Sequence, residues 1–134
     1  MQRKTARENA FMLIFESVSK VDETAEEIFS KATELRGLEY DDYVQSVFFG
    51  SYEKKAEIDA AIEKHLMGWK KERISAVSLA ILRLAAYEML YISDIPVKVS
   101  INEAIELAKK FDDEKSYSFV NGVLNALAAE CQKK

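Results

Sequence analysis

Three short segments of the chain have the residue types that could hold a polyanion. The first is the amino terminus, where Arg3, Lys4 and Arg7 fall in the tail and first turn of a predicted helix. Positive charge at that end opposes the helix dipole, so a negative group outside the helix would compensate it. The phosphates of a nucleic acid are one such group.

The second segment is the basic run Lys70, Lys71 and Arg73, which directly follows Trp69. Lysine and arginine neutralise phosphates, and an indole ring offers a surface on which a base can stack. The simpler interpretation, which we favour from the sequence, is that Trp69 packs on the core and that the lysines are solvated. The two interpretations differ in whether the indole is exposed.

The third segment joins the end of one predicted helix to the start of the next. It combines basic, hydroxyl and aromatic side chains, namely Lys109, Lys110, Phe111, Lys115, Ser116, Tyr117 and Phe119. Aromatic and basic groups beside a helix amino terminus form a plausible platform for single-stranded RNA. This segment therefore predicts an RNA-binding surface.

Other kinds of chemistry have little support in the sequence. Metal ligation needs several close ligands, and the chain has one histidine, His65, and one distant cysteine, Cys131. Its four glycines are too scattered for a phosphate loop or a dinucleotide fingerprint. Paired carboxylates fall at helix starts or turns, where they complement the helix dipole. We therefore expect no metal, no cofactor and no catalysis.

The composition predicts one globular domain over residues 1–134. Hydrophobic residues make up 49% and charged residues 31% of the chain, which suits a packed core under a solvated surface. The net charge of −4 gives no overall attraction to a polyanion, so any nucleic-acid site must be a local basic patch.

The sequence also bears on where the protein works. A single cysteine cannot form an internal disulfide, which favours the reducing cytoplasm. The basic amino terminus lacks the uncharged run of a secretion signal, and no stretch matches the ~20 apolar residues that cross a bilayer. We therefore expect a cytoplasmic protein with no membrane segment.

The spacing of apolar residues predicts an all-α fold of about seven helices. The fifth predicted helix is apolar around most of its circumference, which places it at the centre. In chain order the predicted helices run from about Thr5 to Ser19, from Thr24 to near Gly37, from Asp41 through Tyr52, over Ile58, Ile62 and Leu66 to Gly68, from about Ile74 through Leu90, from Ser100 to Phe111, and from Ser116 through Leu127.

Particular residues predict how some of these helices begin and pack. Ser100 and Glu103 have the capping-box spacing, in which each side chain satisfies the other's free amide, and predict the start of the sixth helix. Ser116 is the predicted cap of the seventh. Gly122 predicts close helix packing, despite a cost of about 1 kcal/mol for glycine in a helix.

Several runs of the sequence resemble the NusB family. The longest are DIPVKVSINEAIELAK at residues 94–109 and FVNGVL at residues 119–124. ILRLAAYE at residues 81–88 is similar to the central helix of that family, and RKTARENAFMLIF at residues 3–15 to its basic start. The resemblance covers essentially the whole chain and is strongest from Ile81 onward.

The resemblance implies a fold of seven helices in two orthogonal subbundles. It also implies a non-catalytic transcription antitermination factor that binds boxA, a short single-stranded element in nascent ribosomal RNA leaders. It would bind this RNA as a heterodimer with NusE, a ribosomal protein of the small subunit. The complex would help to keep RNA polymerase processive and resistant to termination.

The resemblance further implies which residues make these contacts. The RNA surface would comprise Arg3, Lys4, Arg7, Lys70, Phe111, Lys115, Ser116 and Phe119, all within the three segments above. The partner surface would involve Phe15 on the first helix and the exposed start of the fifth helix near Ser78. The chain departs from some relatives, which have an acidic residue at Lys115 and a glutamate at Ser78.

Two alternatives stay open at this stage. One is the NusB-like RNA-targeting module of some ribosomal RNA cytosine methyltransferases, which the sequence disfavours because it contains no nucleotide-binding domain. The other is a helical interaction adaptor without RNA binding. The sequence also leaves open a homodimer of the free protein, because an apolar partner surface could self-associate until NusE binds.

Overall fold

The computed structural model describes residues 1–66 and 68–131, and over these residues it has seven α-helices and no strand. The helices are α1 (Arg3–Ser19), α2 (Ala25–Ser30), α3 (Asp42–Glu53), α4 (Lys55–Glu63), α5 (Ala76–Tyr91), α6 (Val97–Phe111) and α7 (Glu114–Glu130). A π-helical turn (Lys31–Leu35) continues α2, and a short 3-10 turn (Lys71–Arg73) precedes α5. The predicted all-α class and the number of helices are confirmed.

The central position predicted for the fifth helix is also confirmed. Helix α5 packs against α1, α3, α4, α6 and α7, and Ile81, Leu82 and Leu84 on it are almost fully buried. Each such side chain contributes roughly 1.5–3 kcal/mol when it leaves water, which explains why the most apolar helix takes the centre. Within the described part of the chain, no helix combines the length and apolar character that crossing a bilayer requires.

The two helices predicted to begin at Thr24 and at Asp41 are capped by those residues. The Thr24 hydroxyl accepts a hydrogen bond from the Glu27 amide at 3.1 Å, and the Glu27 carboxylate accepts one from the Thr24 amide at 2.8 Å. At the start of α3, an Asp41 carboxylate oxygen accepts from the Val44 amide at 3.0 Å. These bonds satisfy amides that have no partner within the helix.

Two other predicted helix starts are wrong. Helix α6 begins at Val97, because Pro96 already has a backbone φ of −61° that suits a helix start, and the Ser100 hydroxyl donates to Glu88 instead of capping. Helix α7 begins at Glu114, because the Asp113 carboxylate is the cap and accepts from the Ser116 amide. Both real starts lie two or three residues earlier than predicted.

The close helix packing predicted at Gly122 is wrong, and a different glycine has that role. No atom lies within 4 Å of the position that a Cβ of residue 122 would take. A Cβ on Gly50 in α3 would instead overlap the phenol ring of Tyr87 in α5, with Cε1 only 2.8 Å away. Gly50 therefore allows the close approach of these two helices.

Candidate nucleic-acid interface

Arg7 lies in the interior, whereas the other two basic residues of the amino terminus are exposed. Arg7 is 5% exposed, and its Nε donates to Glu88 Oε2 at 2.8 Å. A second bond joins its Nη1 to Glu103 Oε1 at 3.3 Å. Helix periodicity explains the burial, because Arg7 lies one turn before the buried Phe11. The predicted RNA contact at Arg7 is therefore corrected, since the side chain is almost fully buried and its hydrogen bonds go to Glu88 and Glu103.

Glu88 on α5 accepts hydrogen bonds from residues on three other helices. Besides Arg7 on α1, its carboxylate accepts from the Tyr43 hydroxyl on α3 and, at 2.8 Å, from the Ser100 hydroxyl on α6. Burial and the Glu88 charge raise the pKa of Tyr43 far above its usual range. Burial alone would lower the pKa of Arg7, but the hydrogen bond and charge of Glu88 outweigh it and raise that pKa. This cluster fixes the position of the α1 start.

Arg3 and Lys4 emerge from that fixed start into solvent. The Arg3 guanidinium carbon lies 4.3 Å from the centre of the Tyr43 ring, so the residue rests on the outer side of the Glu88 cluster. Among residues 1–66 and 68–131, no carboxylate lies within ion-pair distance of Arg3 or Lys4. Both charges are therefore available to an external anion.

Lys4 also lines a cavity of about 250 Å³ between the start of α1 and the end of α6. Lys109 and Lys110 line the same cavity, but Lys110 Nζ lies 2.9 Å from a Glu8 oxygen and Lys109 Nζ 4.0 Å from a Glu106 oxygen. These glutamates neutralise much of the positive charge. The cavity by itself therefore does not favour a polyanion.

The turn between α6 and α7 follows Phe111 and is bonded to two serines at the start of α5. Phe111 is half-buried, with its ring centre 5.0 Å from that of Phe11. One oxygen of Asp112 accepts from the Ser78 hydroxyl at 3.2 Å and from the Ser75 hydroxyl at 3.4 Å. Ser78 is only 3% exposed, so the predicted exposed partner contact at Ser78 is wrong. The residue ties the α5 start to the turn.

The first turn of α7 presents Lys115 to solvent. Asp113 Oδ1 accepts from the Ser116 amide at 2.9 Å, and the hydrogen bonds from Ser116 lower the pKa of the Asp113 carboxyl. Ser116 is half-buried, while Lys115 is exposed and, over the residues that the structure describes, forms no ion pair. Lys115 therefore carries a charge that no ion pair neutralises, although this charge also helps to lower the pKa of the nearby Asp113 carboxyl.

The structure overturns the interpretation of Trp69 as a core residue. Trp69 is 57% exposed, and its ring contacts that of Phe119 on α7, with 5.1 Å between ring centres. Lys70 and Arg73 are exposed and form no ion pair within the described ranges, whereas Lys71 pairs with two carboxylates of α4. The run of charged residues that follows Trp69, from Lys70 to Arg73, was the available sequence signal for this exposure.

Folding brings the second and third basic segments together. Trp69 and Arg73 from one segment line a cavity of about 210 Å³ with Lys115, Ser116 and Phe119 from the other. Trp69 and Arg73 are absent from the site residues that the family resemblance supplied. The structure thus adds an aromatic ring and a cation to the predicted surface, and it places Arg3 and Lys4 outside this cavity.

Phe15 belongs to a different, apolar part of the surface. Phe15 is 38% and Met12 43% exposed on α1, and the Phe15 ring stacks on that of Phe11 with 6.1 Å between centres. Exposed apolar groups that adjoin one another suit a protein partner better than a polyanion. The predicted partner contact at Phe15 thus lies on a surface of suitable chemistry.

The single histidine makes a local contact. His65 Nε2 lies 3.1 Å from a Glu130 oxygen, which joins the end of α4 to the end of α7. In residues 1–66 and 68–131, no group of three or more histidine, cysteine, aspartate or glutamate side chains is placed to hold a metal ion.

Comparison with known proteins adds independent information. Residues 4–129 match the NusB family. The transcription antitermination protein NusB of Bacillus licheniformis is 46% identical over 132 residues, which cover 98% of this chain and 100% of that protein. The structure of T. maritima NusB is similar with a TM-score of 0.85 and 35% identity, covering 97% of this chain and 92% of that one.

A second solved structure is described as antitermination factors NusB and NusE in complex with dsRNA. One of its chains is similar to this protein with a TM-score of 0.83 and 29% identity, covering 96% of each chain.

Proposed function

This chain belongs to the NusB family, and we propose that it works as a transcription antitermination factor that binds RNA together with a NusE partner. The RNA is a boxA-type element of a ribosomal RNA leader, and the assembly acts on the elongating RNA polymerase in the cytoplasm. In this proposal the protein is an adaptor without covalent chemistry.

One observation carries the RNA-binding part of this proposal: exposed cations without ion pairs lie at the start of α1 and beside the exposed ring of Trp69. Although the chain has a net charge of −4, the cations that form no ion pair within the described ranges include Arg3, Lys4, Lys70, Arg73 and Lys115. Such cations release counterions when phosphates bind, which favours association. A local patch of this kind is what an acidic RNA-binding protein requires.

Each type of side chain on the surface around Trp69 has its own role in the proposed RNA binding. Lys70 and Lys115 neutralise phosphates there, while Phe119 provides apolar surface for bases. The exposed part of Phe111, at the end of α6, adds apolar surface outside the cavities beside Trp69. Ser116 supplies a hydroxyl at the rim of the cavity. Arg3 and Lys4 form a separate basic contact at the start of α1. Arg7 acts indirectly, because its ion pair with Glu88 holds that start in place.

The NusE contact is proposed for the apolar surface of α1. Phe15 and Met12 are exposed there, and the related NusB–NusE structure shows that a protein of this fold is found with NusE. Ser78 supports the start of α5 from inside and is not part of the proposed contact. Without NusE, the same apolar surface could pair two copies of this chain.

The direct test is fluorescence anisotropy of a labelled boxA RNA titrated with this protein, alone and with NusE. A scrambled RNA is the sequence control, and a duplex of the boxA sequence shows whether the strand must be unpaired. We expect selective binding of the single strand that NusE tightens. Equal affinity for boxA and scrambled RNA in both conditions, or no binding, would contradict the proposal.

A further inference from the structure

Trp69 is unusual on this surface because it is large, exposed and surrounded by cavities. It is 57% exposed and lines cavities of about 210, 290 and 350 Å³ around the α7 start and the end of α4. Indole buries a large apolar area when a partner covers it. The side chain therefore has room beside it for a flat ligand.

The neighbours of Trp69 hold the indole in place without covering it. Its ring centre lies 5.1 Å from that of Phe119, with 56° between the ring planes. Gly68, with a backbone φ of +91°, turns the chain immediately before it, and the 3-10 turn Lys71–Arg73 follows shortly after. The contact with Phe119 restricts the ring, so it loses less conformational freedom on stacking than an unsupported side chain would.

The charge around Trp69 favours a phosphate-bearing ligand. Arg73 and Lys115 line the cavity of about 210 Å³ with it, and Lys70 lines the adjoining one. The one carboxylate in the lining, Asp113, has an oxygen engaged in capping α7. Cations therefore outnumber carboxylates beside the indole. An acidic or phosphorylated protein side chain would match this charge. A flat base with flanking phosphates matches both the charge and the shape of the site.

We propose that Trp69 forms a subsite for one unpaired nucleotide of the bound RNA, with the base stacked on the indole and the flanking phosphates on Arg73 and Lys115. The inference rests on the RNA binding proposed above and deepens it. Bases of a duplex are already stacked on their neighbours and cannot offer a free face. Trp69 is thus the residue by which this chain distinguishes an unpaired strand from a duplex.

A single probe can observe this contact, because Trp69 is the only tryptophan of the chain. With 5-fluorotryptophan incorporated into this chain alone, one 19F resonance reports on Trp69 even in the presence of NusE. We expect single-stranded boxA RNA to shift this resonance at the same concentrations at which it raises the anisotropy of the labelled RNA. Duplex RNA that raises the anisotropy should leave the resonance in place.

Substitutions test whether the contact contributes to binding. Trp69→Leu should weaken binding of single-stranded RNA roughly 5- to 150-fold, the range found for loss of one base–aromatic stack, and leave duplex binding unchanged. Trp69→Phe should retain part of the affinity. The matched control is Tyr40→Leu, since Tyr40 is also exposed, at 51%, and also rests on a phenylalanine, Phe29, with 4.9 Å between ring centres. Thermal unfolding of each variant verifies that it is folded.

The outcomes separate this inference from the proposed function. If RNA binds but neither moves the resonance nor responds to Trp69→Leu, the subsite is refuted while the proposed function stands. If NusE alone moves the resonance and RNA adds nothing, Trp69 is a protein contact and the subsite is again refuted. If RNA does not bind in any condition, the proposed function fails and the subsite with it.

Discussion

Arg7 and Glu88 form a buried ion pair, with Nε 2.8 Å from Oε2 and exposures of 5% and 1%. The same carboxylate accepts from Tyr43 and Ser100, so one charged group joins four helices. The basic start of α1 therefore serves two purposes. Arg7 fastens the helix to the fold, and the residues before it remain available to a ligand.

Removing the Arg7 side chain should destabilise the fold strongly. Arg7→Met leaves Glu88 charged and buried without its cation, so we expect the free energy of unfolding to fall by about 3–5 kcal/mol. Urea unfolding followed by circular dichroism measures it. The control is Arg36→Ala, which breaks an exposed ion pair with Glu16 and should cost at most about 1 kcal/mol. Similar small losses in both variants would show that Glu88 does not depend on Arg7.

Tyr43→Phe should give a destabilisation that depends on pH. The substitution removes a hydrogen bond to a charged group, worth about 2 kcal/mol near neutral pH. The pKa of Tyr43 is raised above its ordinary value of 10.0, so its stabilisation is fully present below pH 10.0 and is lost as the pH rises toward the folded pKa. The difference between wild type and variant, measured by urea unfolding, should therefore shrink above pH 10.0. A constant difference would contradict this account.

The two helical glycines Gly50 and Gly122 should respond oppositely to alanine. Gly50→Ala places a Cβ against the Tyr87 ring and should destabilise by about 1–3 kcal/mol, as overpacking does. Gly122→Ala meets no neighbouring atom and should stabilise by up to about 1 kcal/mol. Thermal unfolding compares them. In a Tyr87→Ala background the Gly50 substitution should lose its penalty, and a persisting penalty would point to another contact.

Lys115 should contribute one phosphate contact that a distant lysine does not. Lys115→Gln should weaken RNA binding and make the slope of log affinity against log salt shallower by about 0.7. Lys98→Gln is the matched control, because Lys98 is also exposed and lies near the opposite end of α6, roughly 20 Å from the turn at 1.5 Å per residue. Identical slopes for the two variants would remove Lys115 from the RNA surface.

Phe15 should be required for NusE and not for the fold. Phe15→Arg places a charge in an apolar contact and should weaken NusE binding by at least about 2 kcal/mol, measured by titration calorimetry. Leu35→Arg, at a more exposed apolar residue on the turn after α2, is the control and should leave NusE affinity unchanged.

Sedimentation of the free protein tests the same surface, since any homodimer formed there should also be lost in Phe15→Arg.

Much of the fold follows from interactions between residues close in sequence. The cap between Thr24 and Glu27 joins residues three apart, and apolar spacing alone predicts α5 as the central helix. Helix caps and helix faces depend on residues within one or two turns of each other, so the sequence alone can predict them. The runs around Ile81 and Pro96 also sufficed to indicate the family.

The site depended on contacts that no local pattern contains. The charge of Arg7 predicts a place on the RNA surface. The side chain is instead buried in an ion pair with Glu88, which is 81 positions away in sequence. Ser100 has the spacing of a cap, yet its hydroxyl donates a hydrogen bond to the buried Glu88 carboxylate on another helix. Whether a charge is buried, or an indole such as Trp69 exposed, depends on which distant groups the fold brings beside it, and only the tertiary structure decides that.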